Sequence, residues 1–286
     1  ALTDRIVWLN GAFIPEGDAK VSIFDRGLLF ADAVYEGLGV LDGQVVDLAH
    51  HMARLRRSLR ELDMREPMDE AALSAILKGL IERNKIEEGF IYLHITRGVH
   101  DRDYLYPEGL SQTVFAFTQA AHGGGADDPP EPLRMASTPD LRWARRDIKT
   151  TNLLGQVLAK VAAEAAGADE ALMIDPEGFV TEGGAVSFFI VKDDVLFARP
   201  LNRELLPGIT RASMLAVAEE QGVRISEERY SLDDVYAAGE AFATGASSYI
   251  QPVTQVDGRV IGDGEAGALT LRLRAAYLRA VRAKMS

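Results

Sequence analysis

At 286 residues the chain can form one large domain or two ordinary ones, and its net charge of −12 argues against nucleic acid or an anionic membrane as main partner. Hydrophobic residues at 47% and charged residues at 26% give a globular balance with ample core, and no apolar run approaches the ~20 residues that span a bilayer. The absence of cysteine excludes disulfides, thiol nucleophiles and cysteine metal sites, and it fits a reducing cytoplasm.

The first element in chain order is a hairpin. Arg5-Ile-Val-Trp-Leu9 and Ala12-Phe-Ile-Pro15 flank Asn10-Gly11, a pair suited to the positive φ of a two-residue turn. Residues 34–41 read as a strand, Asp42-Gly43 turns the chain, and Gln44-Val-Val-Asp47 follows. Apolar residues at helical spacing predict helices over 48–62 and 70–83. Strands are predicted over 89–96 and 113–118. Residues 121–132, Ala121-His-Gly-Gly-Gly-Ala-Asp-Asp-Pro-Pro-Glu-Pro132, mark a linker. Beyond it a second core begins, with helices predicted over 152–166, 210–221 and 266–284. Its strands are predicted over 170–174, 186–191, 195–198 and 240–243. The expected fold is α+β, with a small N-terminal domain over 1–120 and a larger C-terminal domain over 133–286. The expected site lies in the cleft between them.

Several segments carry candidate chemistry. Lys149 is one of only seven lysines, and it stands between Arg142-Trp-Ala-Arg-Arg146 and the predicted helix near Asn152. A lysine held at the mouth of a helix can be desolvated, lose its proton and attack a carbonyl. Glu182, in Val180-Thr-Glu-Gly183, can supply the acidic partner that a protonated pyridine nitrogen requires. Leu205-Leu-Pro-Gly-Ile-Thr-Arg211 runs into a helix, with Gly208 for a tight turn and Thr210 as N-cap. Its N–H groups and helix dipole suit a phosphate, an ordinary capped helix being the plainer alternative. Ala243-Thr-Gly-Ala-Ser-Ser-Tyr249 is a second anion turn or a simple polar loop. Arg54 shares a helix face with His50 and His51 and is a candidate phosphate clamp. The histidine pair itself lacks metal-binding spacing. On the loop Thr96-Arg-Gly-Val-His-Asp-Arg-Asp-Tyr104, either Arg97 or Arg102 suits a substrate carboxylate, pairing to Asp101 or Asp103 being the alternative. His122-Gly-Gly-Gly125 lacks the nucleophile turn that would make it an esterase loop.

Taken together, Phe24-Asp-Arg-Gly27, Ala31-Asp-Ala-Val-Tyr-Glu36, Ala53-Arg-Leu55, Thr96-Arg-Gly98, Asp147-Ile-Lys149, Asn152-Leu-Leu-Gly155, Thr181-Glu-Gly183 and Gly208-Ile-Thr-Arg211 resemble the fold-type IV pyridoxal-phosphate enzymes. The likeness covers nearly the whole chain, and its order and spacing look most like D-amino-acid transaminase. It implies a Schiff-base lysine at Lys149 and a pyridine partner at Glu182. It implies phosphate holders at Arg54, Ile209 and Thr210, a ring contact from Leu206, and further phosphate donors at Ala246 and Ser247. Tyr35 and Arg102 would receive the substrate carboxylate, Arg102 from the other subunit of a homodimer. Gly37 and Gly39 would leave room on one side of the pocket.

Three departures bear on substrate. The arginine of the carboxylate trap is usually followed two positions later by histidine, and here that position is Tyr104. Gly184-Ala-Val-Ser187 replaces the usual serines and asparagine. Tyr35-Glu-Gly-Leu-Gly39 is similar to branched-chain enzymes but lacks their following basic residue. The resemblance therefore implies a cytoplasmic, pyridoxal-phosphate-dependent transaminase of D-amino acids and 2-oxo acids, such as D-alanine and 2-oxoglutarate. Branched-chain aminotransferase, (R)-selective amine transaminase and aminodeoxychorismate lyase are its alternatives.

Overall fold

In the computed structural model, which describes residues 4–121 and 125–285, Asn10 and Gly11 take positive φ and close a hairpin between β1 (Ile6–Leu9) and β2 (Ala12–Pro15). Residues 122–124 of the expected linker, and with them most of His122-Gly-Gly-Gly125, lie outside the described residues. The chain divides into two units, one comprising Ala1–His122 with Ile148–Asn152, the other Gly123–Asp147 with Leu153–Ser286.

The first unit continues with α1 (Arg26–Phe30), β3 (Ala33–Leu41), β4 (Gln44–Val45), α2 (Leu48–Glu61), α3 (Glu70–Asn84), β5 (Gly89–Thr96) and β6 (Val114–Ala120). Its sheet is antiparallel throughout, in the order β2-β1-β6-β5-β3-β4. Strand alternation splits the side chains between two faces. One face sets Val34, Leu38, Ile91, Leu93 and Ile95 against Leu55 and Leu59 of α2 and Leu77 and Leu80 of α3. Each such side chain contributes roughly 2 kcal/mol of apolar burial before conformational entropy is subtracted. The other face carries Tyr35, Phe90, Tyr92, His94, Phe115 and Phe117, all half-buried.

β4 pairs only with Val40 and Leu41, so the earlier part of that β3 edge needs another partner. Residues 148–152 supply it. Tyr35 N–H donates to the Lys149 carbonyl at 3.0 Å, Thr151 N–H donates to the Ala33 carbonyl at 3.2 Å, and Val34 bridges Thr150. Lys149 therefore packs with the first unit, although chain order assigned it to the C-terminal domain.

The second unit contains β7 (Leu133–Pro139), α4 (Leu154–Ala165), β8 (Glu170–Ile174), β9 (Val180–Gly183), β10 (Ser187–Lys192), β11 (Val195–Ala198) and α5 (Ile209–Glu220). It ends with β12 (Arg224–Glu227), α6 (Leu232–Tyr236), β13 (Glu240–Gly245), β14 (Tyr249–Val256), β15 (Arg259–Val260) and α7 (Ala268–Met285). The sheet runs β12-β11-β10-β13-β14-β7-β8-β9 with β15 beside β14, and it mixes parallel and antiparallel pairs. Phe188, Ile190, Ala241, Ala243 and Val253 form the main core with Tyr230 and Val235. Ala159 and Ala163 pack α4 closely on Ala136, Ala171 and Met173. α4 begins at Leu154, two residues later than its predicted start. The N-cap of α5 is Gly208, not Thr210, which lies inside the first turn.

Candidate functional site

In the first unit, the candidate groups gather where residues 148–152 meet β3. The Lys149 ammonium lies 4.2 Å from the centre of the Tyr35 ring, and Lys149 N–H donates to Ser58 Oγ of α2 at 3.3 Å. Tyr35 stacks on Tyr92 with ring centroids 5.3 Å apart. The next residue, Glu36, points to the opposite face and is fully buried. There it accepts two hydrogen bonds from Arg54, Nε to Oε1 at 2.9 Å and Nη2 to Oε2 at 2.8 Å. His51 Nδ1 lies 2.7 Å from Oε2 of the same carboxylate. Burial alone would raise the Glu36 carboxyl, but the charge and hydrogen bonds of Arg54, helped by His51, bring it down to about 2. Burial also pushes His51 below its ordinary value, against the pull of Glu36.

Arg54 is thus a braced guanidinium, fixed on one edge by a carboxylate that the sequence reading left without a role. His50, expected on the same face, is exposed and lies nearest Asp47, at 3.6 Å. Among the described residues no cluster of metal-binding side chains occurs.

The two arginines of the 96–104 loop separate clearly. Arg97 is buried, donating to Asp32 Oδ2 at 2.8 Å and to the Leu62 carbonyl at 2.7 Å, which commits it to holding the fold. Arg102 is exposed and lies beside two neighbouring aromatic rings, 5.4 Å from Phe30 and 5.7 Å from Tyr104. Arg26 donates to the carbonyls of Asp103 and Tyr104 at 2.6 and 3.2 Å and so fixes the loop that presents Arg102. Tyr104 is 76% exposed, with its ring 5.5 Å from Phe30.

In the second unit, Glu182 is buried in β9. Arg142 Nη1 donates to Glu182 Oε1, while Arg142 Nε and Nη2 donate to Asp140 at 3.0 and 2.7 Å. Thr181 Oγ1 donates to Asp140 Oδ2 at 2.8 Å, and Leu206 N–H donates to Glu182 Oε1 at 3.2 Å. Burial pushes the Glu182 carboxyl up, and Arg142, whose other donors serve Asp140, pulls against that without overcoming it. Leu206 and Glu182 are therefore neighbours, an arrangement that chain order conceals.

The two candidate phosphate turns also meet in this unit. Ser187 pairs with Thr244 across β10 and β13, and a Cβ on Gly208 would lie 2.9 Å from Ser187 Oγ. Gly208 keeps an ordinary φ of −63°, so this close approach, not the turn, calls for glycine. The N-terminus of α5 has no side-chain cap, and Thr244 Oγ1 is buried without a partner. Thr210 is buried, Ile209 and Ala246 are half-buried, and Ser247 is exposed. An uncapped helix start and an orphaned hydroxyl make an anion-seeking donor set. The same unit supplies a buried carboxylate touching Leu206. The residues present thus fit a phosphorylated pyridine, with donors for its phosphate and an acid for its ring nitrogen.

Sequence reasoning missed Glu36, Arg142, Asp140 and Ser187 as contributors, while Thr244 falls inside the second candidate turn. The spacing Asp140-x-Arg142 could have signalled a side-chain fork, but nothing local ties that fork to Glu182.

The sequence matches the family described as Amino-transferase class IV over residues 33–256. It is similar to a putative branched-chain-amino-acid aminotransferase of Methanocaldococcus jannaschii, 36% identical and covering 94% of this chain and 93% of that one. It is similar as well to the D-alanine aminotransferase of Staphylococcus haemolyticus, at 32% identity over 98% of this chain and 99% of that protein. Among solved structures, the T.th. branched-chain amino acid aminotransferase with pyridoxamine 5'-phosphate superimposes with a TM-score of 0.87. It is 30% identical, over 98% of this chain and 95% of that chain.

Proposed function

The chain belongs to the class IV aminotransferases, and from that membership we propose that it is a transaminase of D-amino acids and 2-oxo acids. The cofactor is pyridoxal 5'-phosphate, which when bound supplies the carbonyl that takes up the amino group and the ring that accepts the electron pair released at the α-carbon. Lys149 is the amine we assign to that carbonyl and, once displaced, to holding the proton taken from the substrate α-carbon. Glu182 is assigned to the pyridine nitrogen, where its carboxylate keeps a proton in place. Arg142 gives that carboxylate a reason to remain ionised in a buried setting. Arg54, braced by Glu36, is assigned to the phosphate together with Ile209, Thr210, Ala246 and Ser247. Leu206 is assigned to the ring face.

The observation that carries the D-amino-acid assignment is the exposed Arg102, lying beside the Phe30 and Tyr104 rings on a loop fixed by Arg26. A guanidinium so presented can receive a carboxylate in a two-pronged contact. Tyr35 and Tyr104 are assigned to the same carboxylate, and Gly37 to one side of the substrate pocket. We place Arg102 in the site of a second copy of the chain. A homodimer is supported by the exposed apolar stripe Leu154, Val157, Leu158 and Val161 on α4. No helix among the described residues is long and apolar enough to cross a membrane. A cytoplasmic location belongs to the same proposal.

A branched-chain L-amino-acid reading is favoured by the Methanocaldococcus relative and by the Tyr35-Glu-Gly37 run. A panel of D-alanine, D-glutamate, L-leucine and (R)-1-phenylethylamine separates the two: turnover of the D-acids is expected, and turnover of L-leucine alone refutes the assignment. Borohydride reduction followed by peptide mapping is expected to label Lys149, and a label elsewhere removes its role.

A further inference from the structure

Glu182 stands on a strand whose ladder does little to fix its register. β9 is the last strand of its sheet and pairs only with β8. Ile174 faces Val180 and Leu172 faces Gly183, so Thr181 and Glu182 together stand opposite Met173 alone. Such a bulge re-aims a side chain, and it also interrupts the pairing that would hold the strand in place. A slip of one residue would turn Glu182 to the other face of the sheet.

Arg199, the residue after β11, is buried, and its guanidinium reaches separate segments around this bulge. Nη1 donates to the Val180 carbonyl, where the bulge begins, at 2.9 Å. Nη2 lies 2.9 Å from Asp175 Oδ2 and donates to Glu204 Oε2 at 2.6 Å. Asp175 Oδ1 accepts from the N–H groups of Glu177 and Phe179, at 3.0 and 2.9 Å, and so closes the turn between β8 and β9. Nε is buried without an acceptor, so the two terminal nitrogens carry the anchoring. The tethers have matching reach. Glu182 comes two residues after Val180, and Leu206 two residues after Glu204. These are the residues joined by the 3.2 Å bond from Leu206 N–H to Glu182 Oε1. The main chain of Arg199 serves another end: its carbonyl accepts from Arg211 Nη2 of α5 at 3.1 Å, a bond that a substitution at 199 spares.

We propose that Arg199 is a positioning residue for the pyridine end of the site, tying the bulge that carries Glu182 to the loop that carries Leu206. Arg142 Nη1 and Leu206 N–H both donate to Glu182 Oε1, leaving Oε2 to a further donor. The Arg199 clamp keeps that division, so that Oε2 stays aimed at a ring N–H. With the clamp cut, the loop and the bulge move separately and the carboxylate turns within its site. The inference rests on the assignment of Glu182 to the pyridine nitrogen, and it is independent of which amino acid is the substrate.

The test uses the full chain freed of cofactor and two probes, pyridoxamine 5'-phosphate and its 1-deaza analogue, in which C–H replaces the ring nitrogen. Wild type is expected to bind the pyridine at least about tenfold more tightly, the scale of one hydrogen bond to a charged group. In Arg199→Met that preference should fall to about twofold or less, while affinity for the analogue stays within about twofold because the phosphate donors are untouched. Arg199→Lys, which loses the fork, and Glu204→Ala, which cuts only the loop tether, should fall between. Glu204 is half-exposed and its loss leaves Arg199 paired with Asp175, so Glu204→Ala decides together with Arg199→Lys if Arg199→Met does not fold. Amide hydrogen exchange at Leu206 should rise at least about tenfold in Glu204→Ala, with the amides of α5 unchanged. A wild-type preference kept in both Glu204→Ala and Arg199→Lys, equal weakening of the two probes, or unchanged exchange at Leu206 overturns the proposal. Failure of the underlying assignment looks different: wild type and Glu182→Gln then bind the two probes alike, while Leu206 exchange still reports whether Arg199 holds the loop.

Discussion

Each unit buries a carboxylate against an arginine, and the two carboxylates respond in opposite ways. Glu36, in the first unit, is driven down to about 2, while Glu182, in the second, is pushed above its ordinary value. Burial is nearly the same: 0% exposure for Glu36 and 4% for Glu182. The difference lies in how each arginine is shared. Arg54 gives two donors to Glu36, and His51 adds a third contact, so both oxygens are served. Arg142 directs Nε and Nη2 to Asp140 and leaves Glu182 one guanidinium donor and the Leu206 N–H. Asp140 also repels Glu182. Burial thus sets the penalty and the division of donors decides the outcome. Glu36 is fully compensated; Glu182 still has capacity for a further donor, which is what a pyridine N–H would be.

Exchanging each carboxylate for its amide is the direct way to break the comparison. Glu182→Gln is expected to lower kcat by about 10²–10³-fold, the scale seen when one aligned polar group is removed from a site. Its effect on unfolding free energy should stay at about 1 kcal/mol, because Arg142 keeps its fork on Asp140. Rapid kinetics and a denaturant melt read the two numbers. Equal losses of rate and stability would erase the distinction.

Glu36→Gln should behave in the reverse sense, costing about 3 kcal/mol of stability at neutral pH, from a carboxyl displaced from 4.5 to about 2. The pH profile sharpens this. A carboxylate depressed in the folded state stabilises above its unfolded value and loses that contribution as pH falls toward its folded value. The wild-type advantage over Glu36→Gln should therefore be level from pH 7 to 5 and close between about 4.5 and 2. An advantage that grows on acidification would contradict the assignment.

The smallest expected effect isolates the sharing itself. Asp140→Asn removes a negative charge that holds Glu182 up and loosens the claim on Arg142. The acid limb of kcat/KM should shift to lower pH. No shift would mean that Asp140 does not influence Glu182.

Much of this arrangement was legible in the sequence, and the illegible part has physical causes. The β5 strand and the α2 and α3 helices announce themselves because each buries one face, so apolar residues recur at period two or near 3.6. β9 is four residues, all buried, and shows no alternation to read. β14 carries Pro252 yet lies between β13 and β7, with Pro252 opposite Phe242, where proline normally argues against a strand. The candidate site residues Lys149, Glu182, Arg54 and Arg102 were singled out by the ordered motif series and the family resemblance it carries. Their partners were not, because Glu36 meets Arg54, and Arg142 meets Glu182, only once the chain has folded. Gly37 is expected to leave room, and the Phe90 ring reaches that space from another strand.

The short run Ile148–Asn152, stitched to β3 by backbone hydrogen bonds, carries a consequence for how the protein is made. A ribosome delivers the first unit's strands long before it delivers that run. The sheet of the first unit must wait, with the β3 edge at Ala33 and Tyr35 bare, until Asn152 has left the exit tunnel. Lys149, the amine proposed for the chemistry, is thus among the last pieces to join the unit that holds it. Cutting the gene after residue 121, where composition invites it, would express a first half permanently missing the run that pairs with the β3 edge.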